Sequence, residues 1–177
     1  DNIRMDMAFS IMPDRPDYSE IVCKQNITIK DKQGFVTSLL KTVEINNKDL
    51  DEGYYIVNNS ADSKLFSPMH KEPFRFLAVK ILNNDIFYGW LGIFSFDMDE
   101  IIKRSELRLL MSIAEQIGVV IANTDLYHDL EDFGINIVKS LIVTIEAKDV
   151  YTGGHSERVH HLSMLIAEEL GLSEKDK

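Results

Sequence analysis

The chain of 177 residues is short of cysteine, proline and tryptophan, with one Cys, four Pro and one Trp. The single thiol, Cys23, excludes an internal disulfide and fits a reducing compartment, so a cytoplasmic location is expected. Basic charge is scarce as well: 19 Lys and Arg face 29 Asp and Glu, a net charge of −10. A nucleic-acid backbone or an anionic membrane surface calls for a surplus of cations, which argues against both as partners. A small anionic ligand held by a few local donors stays open. No unbroken apolar run reaches the roughly 18–20 residues of a membrane helix. The longest candidate, 113–122, is interrupted by Glu115 and Gln116, so no membrane contact is expected. No signal-peptide pattern opens the chain. It begins on Asp1 rather than Met and closes on the polar run 173–177, from which we expect both ends to be cut from something longer.

What is present is 45% apolar residues, enough for one ordinary domain with a core plus a short appendage. Met5, Met7, Phe9 and Ile11 alternate with polar or small residues, a strand period. A turn cluster at Pro13–Asp17 precedes a return strand over 18–24. Residues 34–42 predict a short helix, 42–45 a short strand, and 54–57 another strand. The clearest hairpin runs 74–82, turns at Asn83-Asn84-Asp85, and returns over 86–96. Gly89 and Gly92 inside it predict a bulge or a close approach. The longest helix is expected from Asp99 to about Glu131, with acids at its start suiting the helix dipole. Its apolar residues, Leu107, Leu110, Ile113, Ala114, Ile117, Val120 and Ile121, widen beyond one face through Leu109, Met111, Val119 and Ala122. A helix apolar on two sides packs on two things: the sheet, and a second copy of itself. Gly134 is expected to break or kink it. A second helix then covers 135–149, and a third, capped by Ser156, ends at Gly171.

The stretch Ile27-Thr28-Ile29 through Gly34-Phe35-Val36 to Val43-Glu44-Ile45-Asn46, followed by Phe76–Lys80 and Gly89–Ile93, resembles a GAF domain over roughly residues 3–128. A sharper resemblance follows. Glu146-Ala147-Lys148-Asp149, then Tyr151-Thr152-Gly153-Gly154-His155-Ser156-Glu157-Arg158-Val159, is similar to the opening of an HD-GYP domain of the HD superfamily, with Gly171-Leu172-Ser173 at its usual end. The implied fold class is α+β: a GAF-like central antiparallel sheet with flanking helices, a long C-terminal helix and a helical stub. The implied domains are a sensor and dimerisation domain at 1–128, a connecting signalling helix at 129–149, and the start of an incomplete HD-GYP domain at 150–177.

That family hydrolyses cyclic di-GMP with two or three metal ions. By this resemblance His155 is the first metal-ligand histidine, because neutral imidazole binds a transition metal that makes hydroxide available near neutral pH. Val159, Leu162 and Ile166 share its helix face, expected to be the buried one. Some members carry a glutamate where Tyr151 stands here, linked to a third metal. The His-Asp pair and the glycine-tyrosine-proline signature expected downstream do not occur. One histidine cannot hold a catalytic metal, which takes about three protein ligands. The 177 residues are therefore expected to be catalytically incomplete, with no cofactor of their own. The longer parent is expected to be a metal-dependent cyclic-di-GMP phosphodiesterase with two divalent ions, iron or manganese. Its partners are expected to be a second copy, joined through the C-terminal helices, and a small molecule in a GAF pocket lined by loops between Asn46 and Pro73, unless that pocket is vestigial.

Other residues invite sharp readings that blander ones outweigh. His128-Asp129 is a helix-surface step rather than a catalytic pair, lacking an apolar context and preceding His155. Asn47-Lys48 with Asp51-Glu52 lacks the spacing of a cyclic-nucleotide motif and reads as a polar loop. Cys23 reads as a small core or edge residue rather than a bilin anchor. His160 and His161 point about 100° apart on a helix and read as a solvated face. Trp90 and Phe94 read as core.

Overall fold

The computed structural model describes residues 5–24, 29–46, 53–66, 69–147 and 154–173. The chain divides into two units, Asp1–Asn123 and Thr124–Lys177. The first is built on a five-stranded antiparallel sheet of β1 (Met7–Ile11), β2 (Glu20–Cys23), β3 (Tyr54–Val57), β4 (Arg75–Asn83) and β5 (Ile86–Ser95), in the spatial order β2-β1-β5-β4-β3. Helix α1 (Lys32–Asn46) lies between β2 and β3 in sequence, and α2 (Arg104–Glu146) follows β5. This is the α+β architecture expected, with α3 (His155–Glu169) as the helical addition.

Period-two alternation sorts the sheet's side chains onto two buried faces. Met7, Phe9, Phe76, Ala78, Trp90 and Phe94 join Val36, Leu39, Leu40 and Val43 of α1 in one cluster. Leu77, Val79, Ile81 and Ile93 join Leu110, Ala114 and Ile121 of α2 in the other. A sheet covered on both faces explains why β4 is an almost continuous apolar run. Each fully buried large side chain contributes about 1.5–3 kcal/mol.

The β4–β5 hairpin turns where the Asn-Asn-Asp cluster predicts. Asn84 and Asp85 both take positive φ, 47° and 65°, the two left-handed positions of a tight hairpin turn that matches strand twist. The expectation for the strand glycines is met twice over. The β4–β5 register slips between Ile81 and Leu82, opposite Gly89 and Phe87. Gly92 faces Phe9 across the β1–β5 pair, and a Cβ there would fall 2.2 Å from the Phe9 ring.

Three sequence expectations are corrected. Residues 42–45 are not a strand; α1 continues to Asn46. Thr42 and Val43 are β-branched, but Thr42 Oγ1 bonds back to the Ser38 carbonyl and Val43 is fully buried against the sheet, so tertiary packing overrides propensity. Gly134 neither breaks nor kinks its helix into two: α2 is one helix of 43 residues. A lone glycine costs about 1 kcal/mol in a helix, too little to end one. The helix also starts later than Asp99, at Arg104. Glu106 Oε2 accepts the Lys103 N–H at 2.8 Å, the reaching-back half of a capping box. The preceding linker is held by the buried Arg75, whose guanidinium donates to the Glu100 carbonyl, and by Asn58 Oδ1, which accepts the Ile102 N–H at 2.8 Å.

Of the α2 stripe, Leu110, Ala114 and Ile121 are buried, as is Gly118 between them, while Ile113 and Val120 fall on the exposed side. By length and composition α2 contains a stretch apolar enough to cross a membrane, although charged and polar residues such as Glu115 and Gln116 interrupt its apolar run. Its buried positions in the first unit are, however, used on the sheet.

Candidate functional site

The segment that opens on His155 is built by two helix ends within the second unit. Helix α2 ends on Glu146. Helix α3 begins at His155, with Gly154 as its N-cap in the left-handed region, φ 70°, a conformation glycine adopts without steric cost. Ser156 is thus not the N-cap, as its residue type suggests, but lies inside the first turn. Gly154 offers no side chain to the free amides there. Glu146 supplies it instead: Oε2 accepts the Gly154 N–H and Oε1 the Ser156 N–H, each at 2.8 Å. The Ser156 N–H does most to hold the Glu146 carboxyl below its ordinary pKa, followed by the Ser156 hydroxyl and the Gly154 N–H, with a smaller share from the His155 charge. The other end of α3 closes as foreseen at Gly171, φ 67°. There the Leu172 N–H reaches the Ala167 carbonyl and the Gly171 N–H the Glu168 carbonyl, both at 3.0 Å.

His155 is exposed, and Val159, Leu162 and Ile166 on its face are exposed as well, so the face expected to be buried is not. No group of three or more His, Cys, Asp or Glu that could hold a metal occurs among the described residues. The nearby carboxylate of Glu146 is already committed to two backbone amides. Among the described residues, the donor set here therefore does not fit a catalytic metal. Tyr151, and the first glycine of the turn, Gly153, lie outside the described residues, as do Lys48, Asp51 and Glu52. His128 and Asp129 are both exposed on α2, and His160 and His161 on α3.

In the first unit, Trp90 and Phe94 are buried, and Cys23 sits half-buried on β2 against the α1-side core. The space between α1 and the sheet is filled by rings: Phe74 stacks on Phe94 at 4.9 Å between centroids, and Phe35 meets Phe94 edge-on at 5.4 Å. A cleft of about 370 Å³ is lined by Met12, Pro16, Ser19, Lys41, Glu44 and Trp90 among others. None of its lining comes from the 46–73 loops that the sequence suggested. Two of its polar groups are engaged internally, Ser19 Oγ accepting the Met12 N–H at 2.8 Å and Glu44 Oε1 the Trp90 indole N–H at 2.9 Å. Asp6 performs a structural task at the far end of β1: its carboxylate accepts the Ser95 hydroxyl, the Phe96 N–H and the Lys24 ammonium. Burial opposes its ionisation, but these donors outweigh burial and hold its pKa below the ordinary value.

The residue that sequence reasoning missed is Glu146. Its signal was an acid in the last turn of a helix, where cations are favoured.

No family model matches the chain. A cyclic di-GMP phosphodiesterase of Thermotoga maritima is 28% identical over 140 residues, covering 79% of this chain and 32% of that protein. The chain thus spans about a third of the length of that relative. A GAF domain/HD domain protein from Geobacter sulfurreducens has 12% identity and a TM-score of 0.45, covering 71% of this chain and 85% of that one. A red/green cyanobacteriochrome in its red-light-absorbing state has 14% identity and a TM-score of 0.47, covering 71% and 87%.

Proposed function

We propose that this chain is the regulatory sensor and dimerisation module of a bacterial cyclic-di-GMP signalling protein, joined to the opening of an HD-GYP domain. One observation carries the reading: α2 is unbroken from Arg104 to Glu146. Its first part is buried on the sheet of a GAF-like unit, and its last residue caps the helix that opens on His155. A change in the packing of the sheet's covering helix would thus reach the histidine through continuous helix. The name of the Thermotoga relative supports the nucleotide named here.

The partner proposed is a second copy, through α2. Beyond the sheet, Leu126, Leu130, Phe133, Ile137 and Leu141 follow helical three- and four-residue spacing and are all exposed, an apolar seam of the kind helix pairs bury. Light scattering is expected to give a dimer; a monomer at high concentration contradicts this part. The location proposed is the cytoplasm, from the single thiol and the nucleotide. A small molecule in the GAF-like unit is proposed as the signal.

A second reading, favoured by the relative's activity, makes the longer protein a metal-dependent phosphodiesterase with two divalent ions, iron or manganese, and His155 among the ligands. Cyclic di-GMP hydrolysis with added manganese tests both readings. The 177 residues are expected to show none, and the longer protein to lose turnover on His155→Ala.

A further inference from the structure

Glu146 is a poor local choice for its position. The last turn of α2 carries no basic residue and ends on this carboxylate, although the negative end of a helix favours cations. Helix α3 has the complementary deficiency, an N-cap without a side chain. One carboxylate answers both, and the amides it takes, those of Gly154 and Ser156, are the two that flank His155. A residue that breaks a local rule and is compensated from another element marks a position held for a reason beyond its own helix. The geometry is also specific. Two acceptor oxygens on one rigid carboxylate meet two N–H groups at equal distances of 2.8 Å, which fixes the backbone on both sides of the histidine.

We propose that Glu146 is a positioning residue for His155, clasping the backbone on either side of it from the end of α2, so that the rotation of the last α2 turn sets where the imidazole points. This deepens the regulatory reading and rests on it for its purpose. The clasp itself is a property of these residues alone. It supplies what a signalling helix requires at its end, a defined mechanical connection to a chemically useful side chain.

The test is made by NMR on the 177-residue chain with E146A, E146Q and E146D. In E146A, amide exchange at Gly154 and Ser156 is expected to rise about fivefold, the loss typical of a removed cap. The His155 ring signals should move to those of a flexible histidine, while the Cα shifts of 159–169 stay helical. E146Q keeps the side-chain length and one acceptor oxygen and should restore part of the protection. E146D keeps the charge but reaches one methylene less and should not. Unchanged exchange and unchanged His155 signals in E146A overturn the proposal. So does full protection in E146D, which would reduce the effect to charge at a helix end. Loss of helical shifts throughout α3 also overturns it, leaving Glu146 a simple cap. These readouts are independent of turnover and of dimerisation, so a failure here is distinguishable from a failure of the regulatory reading.

Discussion

Gly118 of α2 lies against the backbone carbonyl of Leu82 at the end of β4: a Cβ at position 118 would fall 2.3 Å from that oxygen. Glycine here is a packing requirement, because backbone cannot move aside as a flexible side chain can. Gly118→Ala is expected to destabilise the chain by about 1–3 kcal/mol, the range for overpacking, despite alanine's better helix propensity. Gly134, in the same helix, has nothing within 4 Å of its would-be Cβ. Gly134→Ala should therefore be neutral to stabilising, by up to about 1 kcal/mol. Denaturant unfolding of the two variants side by side checks the contrast.

Phe94 is the hub of the ring cluster beneath α1, touching Phe35, Phe74 and Phe96. Phe94→Ala is expected to cost about 3–5 kcal/mol, because three neighbouring rings cannot all collapse into the space left. Phe87 at the hairpin tip is 39% exposed, and Phe87→Ala should cost much less. Thermal unfolding of both variants separates the two.

These contrasts also show what the sequence made legible and what it did not. The hairpin was legible because Asn84 and Asp85 are residue types that tolerate the left-handed turn between two strand-forming runs. Residues 42–45 were not, because their β-branched content describes a strand and only burial of Val43 against the sheet makes them helix. Gly134 was misread for a related reason: propensity marks it as a weak point, but the residues on both sides of it carry the helix through. At the candidate site, the close of α3 at Gly171 was legible from residue type, whereas residue type put the N-cap on Ser156 and the structure puts it on Gly154. The clasp was not legible. Glu146 and Ser156 are ten residues apart, and nothing in their identities says that the chain returns to join them.

The pH dependence should follow Asp6. Its carboxyl has a folded-state pKa below the ordinary one, so its contribution to stability is full above the unfolded value of about 3.9 and is lost as pH falls through the folded value. Acid unfolding of the native chain is expected to steepen below about pH 4. Asp6→Asn, which cannot ionise, should lower stability at neutral pH and flatten that acid limb. An unchanged limb in Asp6→Asn would assign the acid sensitivity to other groups.

The most direct test of the account is cyclic di-GMP turnover with added manganese, measured on the 177 residues and on the longer protein proposed to contain them. No turnover is expected from the 177 residues, since no group of three or more His, Cys, Asp or Glu that could hold a metal occurs among the described residues, and turnover that depends on His155 is expected in the longer protein. Hydrolysis by the 177 residues alone would contradict the reading of this chain as a regulatory module.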